Sequence, residues 1–191
     1  MKTAAERPDE IREILKQSAA EQAEAVVKSK SRTSEQALEF IDLEKSEKIR
    51  LNVQLRDAWH TSSVLSRVRP SAYLILPGFS HLAGKLQVLG LKIDTLTSAQ
   101  SINVQKYIVT DYTQDVEKYE GVNRQSVSVQ VIDTTLSFPA GTFVIRMDQR
   151  RANLAIEVLE PEATSSFISF DVLHTSPGAE LPVYRSLNLT F

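Results

Sequence analysis

The spacing of apolar residues along the chain changes near residue 37. Before that point, small and apolar residues recur every three or four positions over residues 7–28, which is typical of an amphipathic helix. Pro8 suits a first helical turn, and the acidic pair that follows it favours the positive end of a helix dipole. The polar segment 29–36 has no periodicity, so we predict a linker or an exposed loop there.

After residue 37 apolar and polar residues alternate, as they do in strands with one covered face. Residues 48–56 are the clearest case, because Ile49, Leu51, Val53 and Leu55 fall on one side and polar residues on the other. The preceding segment 38–44 also has strand character, and a short polar stretch between the two would allow a hairpin. This pattern predicts a sheet that is covered on one side.

Residues 67–96 follow a different order. A continuous apolar run at 72–76 predicts a buried strand, and Pro77 with the glycine after it turns the chain. Helical spacing continues to Leu89, and Gly90 stands where a helix end favours glycine. A second strand follows at 91–96, so we predict a strand-helix-strand unit with parallel strands and a right-handed crossover.

The segment from Ser137 to Leu173 is the most ordered part of the sequence, and predicted strands at 101–113 and 119–133 precede it. It begins with a turn at 139–141 and a strand at 142–147. Asp148 is then the predicted N-cap of a packing helix over 149–160, and we expect its replacement by alanine to cost about 0.5–2 kcal/mol. Pro161 ends that helix, and another strand is predicted at 167–173.

These elements predict an α+β fold with a mostly antiparallel sheet, one strand-helix-strand unit, the packing helix and an N-terminal helix. We divide the chain into an N-terminal helix and linker at 1–36 and an α+β domain at 37–191. Twelve apolar residues are predicted to form the core. They are Leu51, Val53, Leu55, Leu74, Ile75, Leu86, Leu89, Val129, Val144, Ile156, Leu159 and Phe170.

Composition excludes several classes of function. Hydrophobic residues make up 42% of the 191 residues and charged residues 24%, with a net charge of -2, so nothing favours a nucleic-acid or membrane-surface partner. The chain has no cysteine, which excludes disulfides, thiol catalysis and thiolate metal sites. No apolar run approaches the about 18 residues of a transmembrane helix, and the polar start lacks the apolar core of a signal peptide. We therefore expect a cytoplasmic protein.

Several motifs occur in order and at suitable spacing: "RPSAYLILPGF", "AGKLQVLGLKIDTLT", "YEGVNRQ", "LSFPAGTFVIRMDQRRANLAIEVLEPEATSSFISFDVL" and "ELPVYR". Together they resemble the segment that follows the catalytic domain in zinc carboxypeptidase-like proteins (metallocarboxypeptidases) of bacteria and fungi. The resemblance covers about residues 65 to 185, and the N-terminal helix is similar to the linker helix of that group. One departure is Val122, which follows "YEG" where the group often has histidine.

The resemblance does not extend to the zinc ligands of such enzymes, which are a His-x-x-Glu pair and a distant histidine. This chain has only His60, His81 and His174, and none of them has a glutamate three positions later. Convergence of the three in the fold would still permit a metal site, although their spacing does not favour one. We predict no catalytic, cofactor-binding or metal-ligating residues and no cofactor.

The motif "DQRR" could form an anion site at a helix N-terminus from Arg146, Asp148, Arg150 and Arg151. We favour a capped helix with solvated arginines, or arginines paired with glutamates, because Asp148 would cap the helix and repel an anion. The glutamates concerned are Glu157, Glu160 and Glu162.

Three other arrangements have a simpler structural interpretation. Asp171 and His174 are close enough for Ser-His-Asp chemistry, but no G-x-S-x-G elbow presents a serine. Gly84 and Lys85 lack the spacing of a phosphate-binding loop, which favours an ordinary helix. The aromatic residues could stack on a sugar or a single strand, but no basic groove accompanies them, which favours packing. They are Trp59, Tyr73, Tyr107, Tyr112, Tyr119 and Tyr184.

The resemblance implies a non-catalytic accessory domain that packs on a carboxypeptidase catalytic domain, in cis or in trans, or shapes access to it. The sequence leaves two alternatives open, a free-standing protein-interaction module and a small hydrolase with an unrecognised site. It does not determine the oligomeric state or the substrate.

Overall fold

The N-terminal part of the fold is a helix followed by a long two-stranded ribbon. The computed structural model describes residues 7–20 and 23–189. Helix α1 spans Pro8–Ala20, and strands β1 (Glu24–Asp42) and β2 (Glu47–Val68) pair antiparallel along their lengths. The hairpin predicted around residues 38–56 is thereby confirmed. Its turn is held by Asp42, whose Oδ1 accepts hydrogen bonds from the backbone N–H groups of residues 44 and 45.

The predicted helix beyond residue 23 and the predicted linker at 29–36 are both wrong, because these residues lie in β1. Ala25 and Val27 alternate with exposed neighbours and are buried, so this stretch follows a period of two where it meets the core. The rest of β1 pairs with β2, a long-range contact that local periodicity does not reveal. Residues 21 and 22, part of the predicted helix, lie outside the described residues. The proposed division between residues 36 and 37 falls inside β1, and the division into domains stays a prediction.

A six-stranded sheet forms the rest of the fold, with the order β4-β7-β3-β8-β5-β6. Every strand pairing recorded among the described residues is antiparallel, which confirms a mostly antiparallel α+β fold. Strand β8 is an element that periodicity did not predict. The strands are β3 (Ala72–Ile75), β4 (Asp94–Thr95), β5 (Gln100–Tyr119), β6 (Val122–Phe138), β7 (Phe143–Arg146) and β8 (Val183–Ser186).

Helix α2 (Ser80–Val88) connects β3 to β4, and a 3-10 turn at Pro77–Phe79 precedes it. Both strands pair antiparallel with β7, so β3 and β4 run in the same direction with β7 between them. Gly90 has φ +83°, its N–H donates to the carbonyl of Gln87, and the N–H of Leu91 donates to that of Leu86. These are the two bonds of a Schellman helix end, so the glycine predicted there has the expected role.

Helix α3 spans Ala152–Leu159, which is shorter than the predicted 149–160. Asp148 is not its N-cap, because Arg151 occupies that position and no side chain caps the first turn. At the other end Pro161 follows the C-cap residue Glu160, as predicted.

The predicted strand at 167–173 is wrong, because this segment folds into turns. The N–H groups of Val172 and Leu173 both donate to the carbonyl of Phe167, so the segment closes on itself in turns. It meets the sheet at one backbone bond, from the N–H of Gln125 in β6 to the carbonyl of Ser169, and does not pair as a strand. Phe167 and Leu173 are buried together with α3 in the core. The apolar residues that suggested a strand therefore anchor a loop to the core.

The core lies on both faces of the six-stranded sheet. In β3, Tyr73 and Ile75 belong to one apolar cluster, and Ala72 and Leu74 belong to the other. Burial on both faces explains the continuous apolar run of this strand. No described helix is both long enough and apolar enough to cross a bilayer.

Half of the predicted core is confirmed. The buried members are Leu74, Ile75, Leu86, Val144, Ile156 and Leu159. Of the other six, Val129 is partly buried and packs against the core. The remaining five are exposed or only partly buried, and their assignment to the core is wrong. These are Leu51, Val53, Leu55, Leu89 and Phe170. The first three lie on the ribbon, beyond its buried base.

Candidate functional site

The three histidines do not converge. His60 lies on β2, His81 in the first turn of α2, and His174 in the loop after α3. Among the described residues no three His, Asp or Glu side chains are grouped so that they could hold a metal ion. His60 instead pairs with Asp57, with 2.5 Å between Nδ1 and Oδ2, and this hydrogen bond is the main cause of the lowered pKa of Asp57.

Asp171 and His174 do form an ion pair, with 2.8 Å between Oδ1 and Nδ1. The pair is on the surface, since 80% of the His174 side chain is exposed, and the same Asp171 oxygen accepts a hydrogen bond from Gln125. In the described parts of the chain no serine hydroxyl bonds to His174. The geometry is that of a loop contact, with no nucleophile in place.

The aromatic candidates are dispersed. Trp59 stands 95% exposed on the ribbon, whereas Tyr73, Tyr107 and Tyr184 are buried in the sheet. Tyr119 packs edge-on against Phe170, with 6.4 Å between the ring centroids. These rings do not share a surface on which a ligand could stack. Gly84 and Lys85 lie within α2, as in an ordinary helix.

The "DQRR" residues, in contrast, do come together. Arg146, Asp148, Arg150 and Arg151 line one cleft, and residues from the loop after α2 form its other wall. We call this the basic cleft. Its lining residues are Gly90, Lys92, Asp94, Arg146, Asp148, Gln149, Arg150 and Arg151, and its volume is about 590 Å³. This volume is within the range of small-ligand sites.

Gln149 joins the two walls of the basic cleft. Its Oε1 accepts a hydrogen bond of 2.8 Å from the N–H of Lys92. Its Nε2 donates to the carbonyl of Lys92 at 3.1 Å and to that of Arg146 at 2.6 Å. One amide side chain therefore makes three bonds to backbone groups from segments far apart in sequence, and it fixes the position of each wall relative to the other.

Two of the four cations in the cleft are held in place. Arg151 Nη1 donates to the carbonyl of Leu89 at 2.7 Å, and Arg146 Nε lies 3.2 Å from Asp94 Oδ2. Neither Arg150 nor Arg151 pairs with the glutamates that the sequence suggested as partners. Glu157 instead accepts a hydrogen bond from the N–H of Ser165.

Glu160 belongs to a buried polar cluster that the sequence did not reveal, and Glu162 lies at the edge of this cluster. The Glu160 side chain is fully buried, and it accepts hydrogen bonds from Tyr73 Oη at 2.6 Å and from Arg67 Nη1 at 3.1 Å. Arg185 Nε lies 3.4 Å from the Glu160 carboxylate, and Arg67 also bonds to Glu162. We call Arg67, Tyr73, Tyr107, Glu160 and Arg185 the Glu160 cluster.

The Glu160 cluster joins the ribbon to the sheet. Arg67 comes from the end of β2, Glu160 from the end of α3, and Arg185 from β8, where it also donates to the carbonyl of Val68. Burial, followed by the charge of Glu160, raises the pKa values of the Tyr73 and Tyr107 hydroxyls well above their ordinary range. Since these groups are largely buried, and Arg67, Tyr73 and Arg185 all contact the Glu160 carboxylate, the cluster fits a structural role. Its bonded pairs lie up to 93 residues apart, as Arg67 and Glu160 do, and no sequence spacing signals it.

Comparisons with known proteins place these observations in context. Carboxypeptidase 2 of Trichophyton tonsurans and that of Trichophyton equinum are each 38% identical to this chain over 123 residues. Carboxypeptidase 2 of Trichophyton rubrum is 36% identical over 122 residues. The aligned region is 64% of this chain but only 23% of each relative, so the chain matches less than a quarter of their length. The resemblance that the motifs indicated is confirmed at this level.

No protein-family model matches the chain. No solved structure matches it.

Proposed function

We propose that this chain is a non-catalytic accessory region of a carboxypeptidase-like protein, which packs on a catalytic domain in cis or in trans or shapes access to it. The observation that carries the proposal is the extent of the similarity, 64% of this chain against 23% of each relative. On this proposal, the shared region corresponds to the C-terminal part of the relatives. The catalytic chemistry then lies in the part of the relatives that this chain does not match.

The ribbon offers a surface for such packing. Phe40 of β1 lies opposite Ile49 of β2, and Leu38 lies opposite Leu51, so these side chains share one face. Phe40 is 42% exposed and Leu51 is 47% exposed. A two-stranded ribbon with one uncovered apolar face is only marginally stable in water, so cover from a partner domain would stabilise it.

The test mixes the purified chain with carboxypeptidase 2 of Trichophyton tonsurans from which the aligned segment has been deleted. Sedimentation velocity reports association, and release of C-terminal residues from peptides reports activity. We expect association of the two proteins and no release by the chain alone. Leu51→Asp, on the apolar face of the ribbon, should weaken association at least about tenfold, a loss of about 1.4 kcal/mol.

The matched control is Asn52→Asp, which adds the same charge on the opposite face of the ribbon and should leave association unchanged. Zinc-dependent peptide cleavage by the chain alone would contradict the proposal and favour the small hydrolase. Failure to associate, combined with a specific complex with an unrelated protein, would favour the free-standing interaction module.

A further inference from the structure

We propose that the basic cleft binds the free carboxylate of a peptide C-terminus. The inference deepens the proposed function and rests on it for the identity of the ligand, because a carboxypeptidase acts on peptides with a free C-terminus. Three properties of the cleft itself support the inference: its charge, its rigidity and the types of hydrogen-bonding group that it offers.

The first property of the cleft is its charge. Four basic side chains line the cleft and two acidic ones, so its formal charge is 4 − 2 = +2, whereas the whole chain carries -2. A concave surface that concentrates one sign of charge attracts small ions of the opposite sign. The cleft is therefore a basic site on a slightly acidic protein and favours an anion.

The second property of the cleft is its rigidity. The three hydrogen bonds of Gln149 hold the walls together, and the Arg151 guanidinium is fixed by the carbonyl of Leu89. Gly90 lies directly beneath that guanidinium, since a Cβ at this position would come within 2.4 Å of Arg151 Nη1. Because the walls and the Arg151 side chain are fixed before binding, ordering on binding is confined to the other side chains of the cleft.

The third property of the cleft is the set of side chains that can bond to a ligand. Lys92 and Arg150 are exposed, and within the described residues neither makes an ion pair or a side-chain hydrogen bond. They can therefore contact an oxyanion directly, and arginine presents a planar fork that matches a carboxylate. Asp148 also has no partner among the described residues, and its carboxylate can accept a hydrogen bond.

Asp148 is what favours a peptide terminus over phosphate. A phosphate dianion carries twice the charge of a carboxylate and would be repelled more strongly by the carboxylates of Asp94 and Asp148. The last residue of a peptide carries one negative charge and, a few bonds away, a backbone N–H that donates. Such a ligand satisfies both the cations and Asp148, and the cleft volume of about 590 Å³ accommodates it.

The experiment measures binding to the full chain by isothermal titration calorimetry. Three probes are compared: an N-acetylated hexapeptide with a free C-terminus, the same peptide with an amidated C-terminus, and inorganic phosphate. We expect the free-acid peptide to bind at least about tenfold more tightly than the amidated peptide, because only the former presents the carboxylate. Phosphate should bind more weakly than the free-acid peptide.

Variants assign the binding to the cleft. Lys92→Ala combined with Arg150→Ala should weaken binding of the free-acid peptide at least about tenfold, with the melting temperature unchanged because both side chains are exposed. Lys30→Ala combined with Arg32→Ala removes two exposed cations from the ribbon and is the matched control, which should bind like the parent. Asp148→Asn should weaken binding of the peptide and strengthen that of phosphate.

Three results would overturn the inference: equal binding of the free-acid and amidated peptides, tighter binding of phosphate than of the peptide, or no binding by any probe. Because the assay uses this chain alone, these outcomes do not depend on association with a catalytic domain. Conversely, a chain that binds the free-acid peptide but does not associate with the truncated carboxypeptidase would contradict the accessory role and retain the carboxylate site.

Discussion

Strands of the β1–β2 ribbon and of the six-stranded sheet both carry apolar residues but bury them to different extents. Leu51 on the ribbon is 47% exposed, whereas Leu74 on β3 is fully buried. The difference lies in the layers that cover each strand, because β3 has apolar clusters on both faces, whereas the described residues form no such cluster over the outer ribbon. Alternation therefore identifies an apolar face, and only the fold decides whether anything covers it.

The two regions meet at the base of the ribbon. Ala25 and Val27 are buried there, and Arg67 reaches the carboxylates of Glu160 and Glu162. The base of the ribbon thus behaves as part of the core, while its far half depends on its own cross-strand pairs. Four predictions test this contrast.

The largest expected effect is at the junction. Glu160→Ala should lower the free energy of unfolding by about 3–5 kcal/mol, because Arg185 would be left buried without its carboxylate partner and Arg67 would keep only Glu162. Urea denaturation followed by circular dichroism measures the change. Glu117→Ala, at the exposed end of β5, is the control and should have little effect. A change below about 1 kcal/mol for Glu160→Ala would mean that the contacts at the junction contribute little to the free energy of unfolding.

The same truncation should have different effects in the two regions. Leu74→Ala should cost about 2–5 kcal/mol, because it opens a cavity in a covered layer. Leu51→Ala should cost about 1 kcal/mol or less, because about half of that side chain is already in water. Equal losses in paired denaturation curves would contradict the contrast and indicate that something covers the ribbon.

The buried tyrosines predict a loss of stability at alkaline pH. Tyr73 and Tyr107 have raised pKa values in the folded state, so they keep their protons where the unfolded chain, with an ordinary value near 10.0, loses them. Their contribution is fully present below about pH 10. Above it the free energy of unfolding should fall by about 1.4 kcal/mol per pH unit for each buried tyrosine.

Denaturation curves between pH 8 and pH 11 measure that slope. Tyr107→Phe should make it less steep at little structural cost, since among the described residues the Tyr107 hydroxyl has no hydrogen-bond partner of good geometry. Tyr119→Phe, at a position that is 52% exposed, should leave the slope unchanged. Equal slopes in all three proteins would refute the assignment.

The smallest effect concerns Asp148. Since its side chain does not cap α3, Asp148→Ala should change the free energy of unfolding by no more than about 0.5 kcal/mol. The neighbouring exposed change Arg150→Ala serves as the control. A loss of about 1–2 kcal/mol for Asp148→Ala alone would restore the capping role that the sequence suggested.

The features of the fold that the sequence could predict are those set by local interactions, such as the ends of helices. Gly90 and Pro161 act within a few residues of themselves, and both end helices as expected. The β1 segment at 24–36 could not be identified in this way, because its strand character depends on pairing with β2. The strand predicted at 167–173 was wrong for a similar reason, since a short, mostly apolar segment fits a strand or a packed loop equally well.

The two polar sites differ in how much of each was visible beforehand. The "DQRR" motif places Asp148, Arg150 and Arg151 together in sequence, and Arg146 lies two positions before it, so half of the basic cleft could be anticipated. Its other wall is brought in by the bonds between Gln149 and Lys92, 57 positions apart. The Glu160 cluster depends wholly on tertiary packing, as the Arg67–Glu160 pair shows with its separation of 93 positions.

The position of Arg67 also limits how this protein can be shortened. A chain cut at Arg69 would retain every strand of the six-stranded sheet, yet Glu160 would lose one of its two guanidinium partners inside the core. A fragment that begins before residue 67 keeps that partner. So does a protein in which the outer ribbon is removed and the start of β1 is joined to the end of β2 by a short turn. In energetic terms the last residues of β2 belong to the sheet, and a shortened protein should be designed around that boundary.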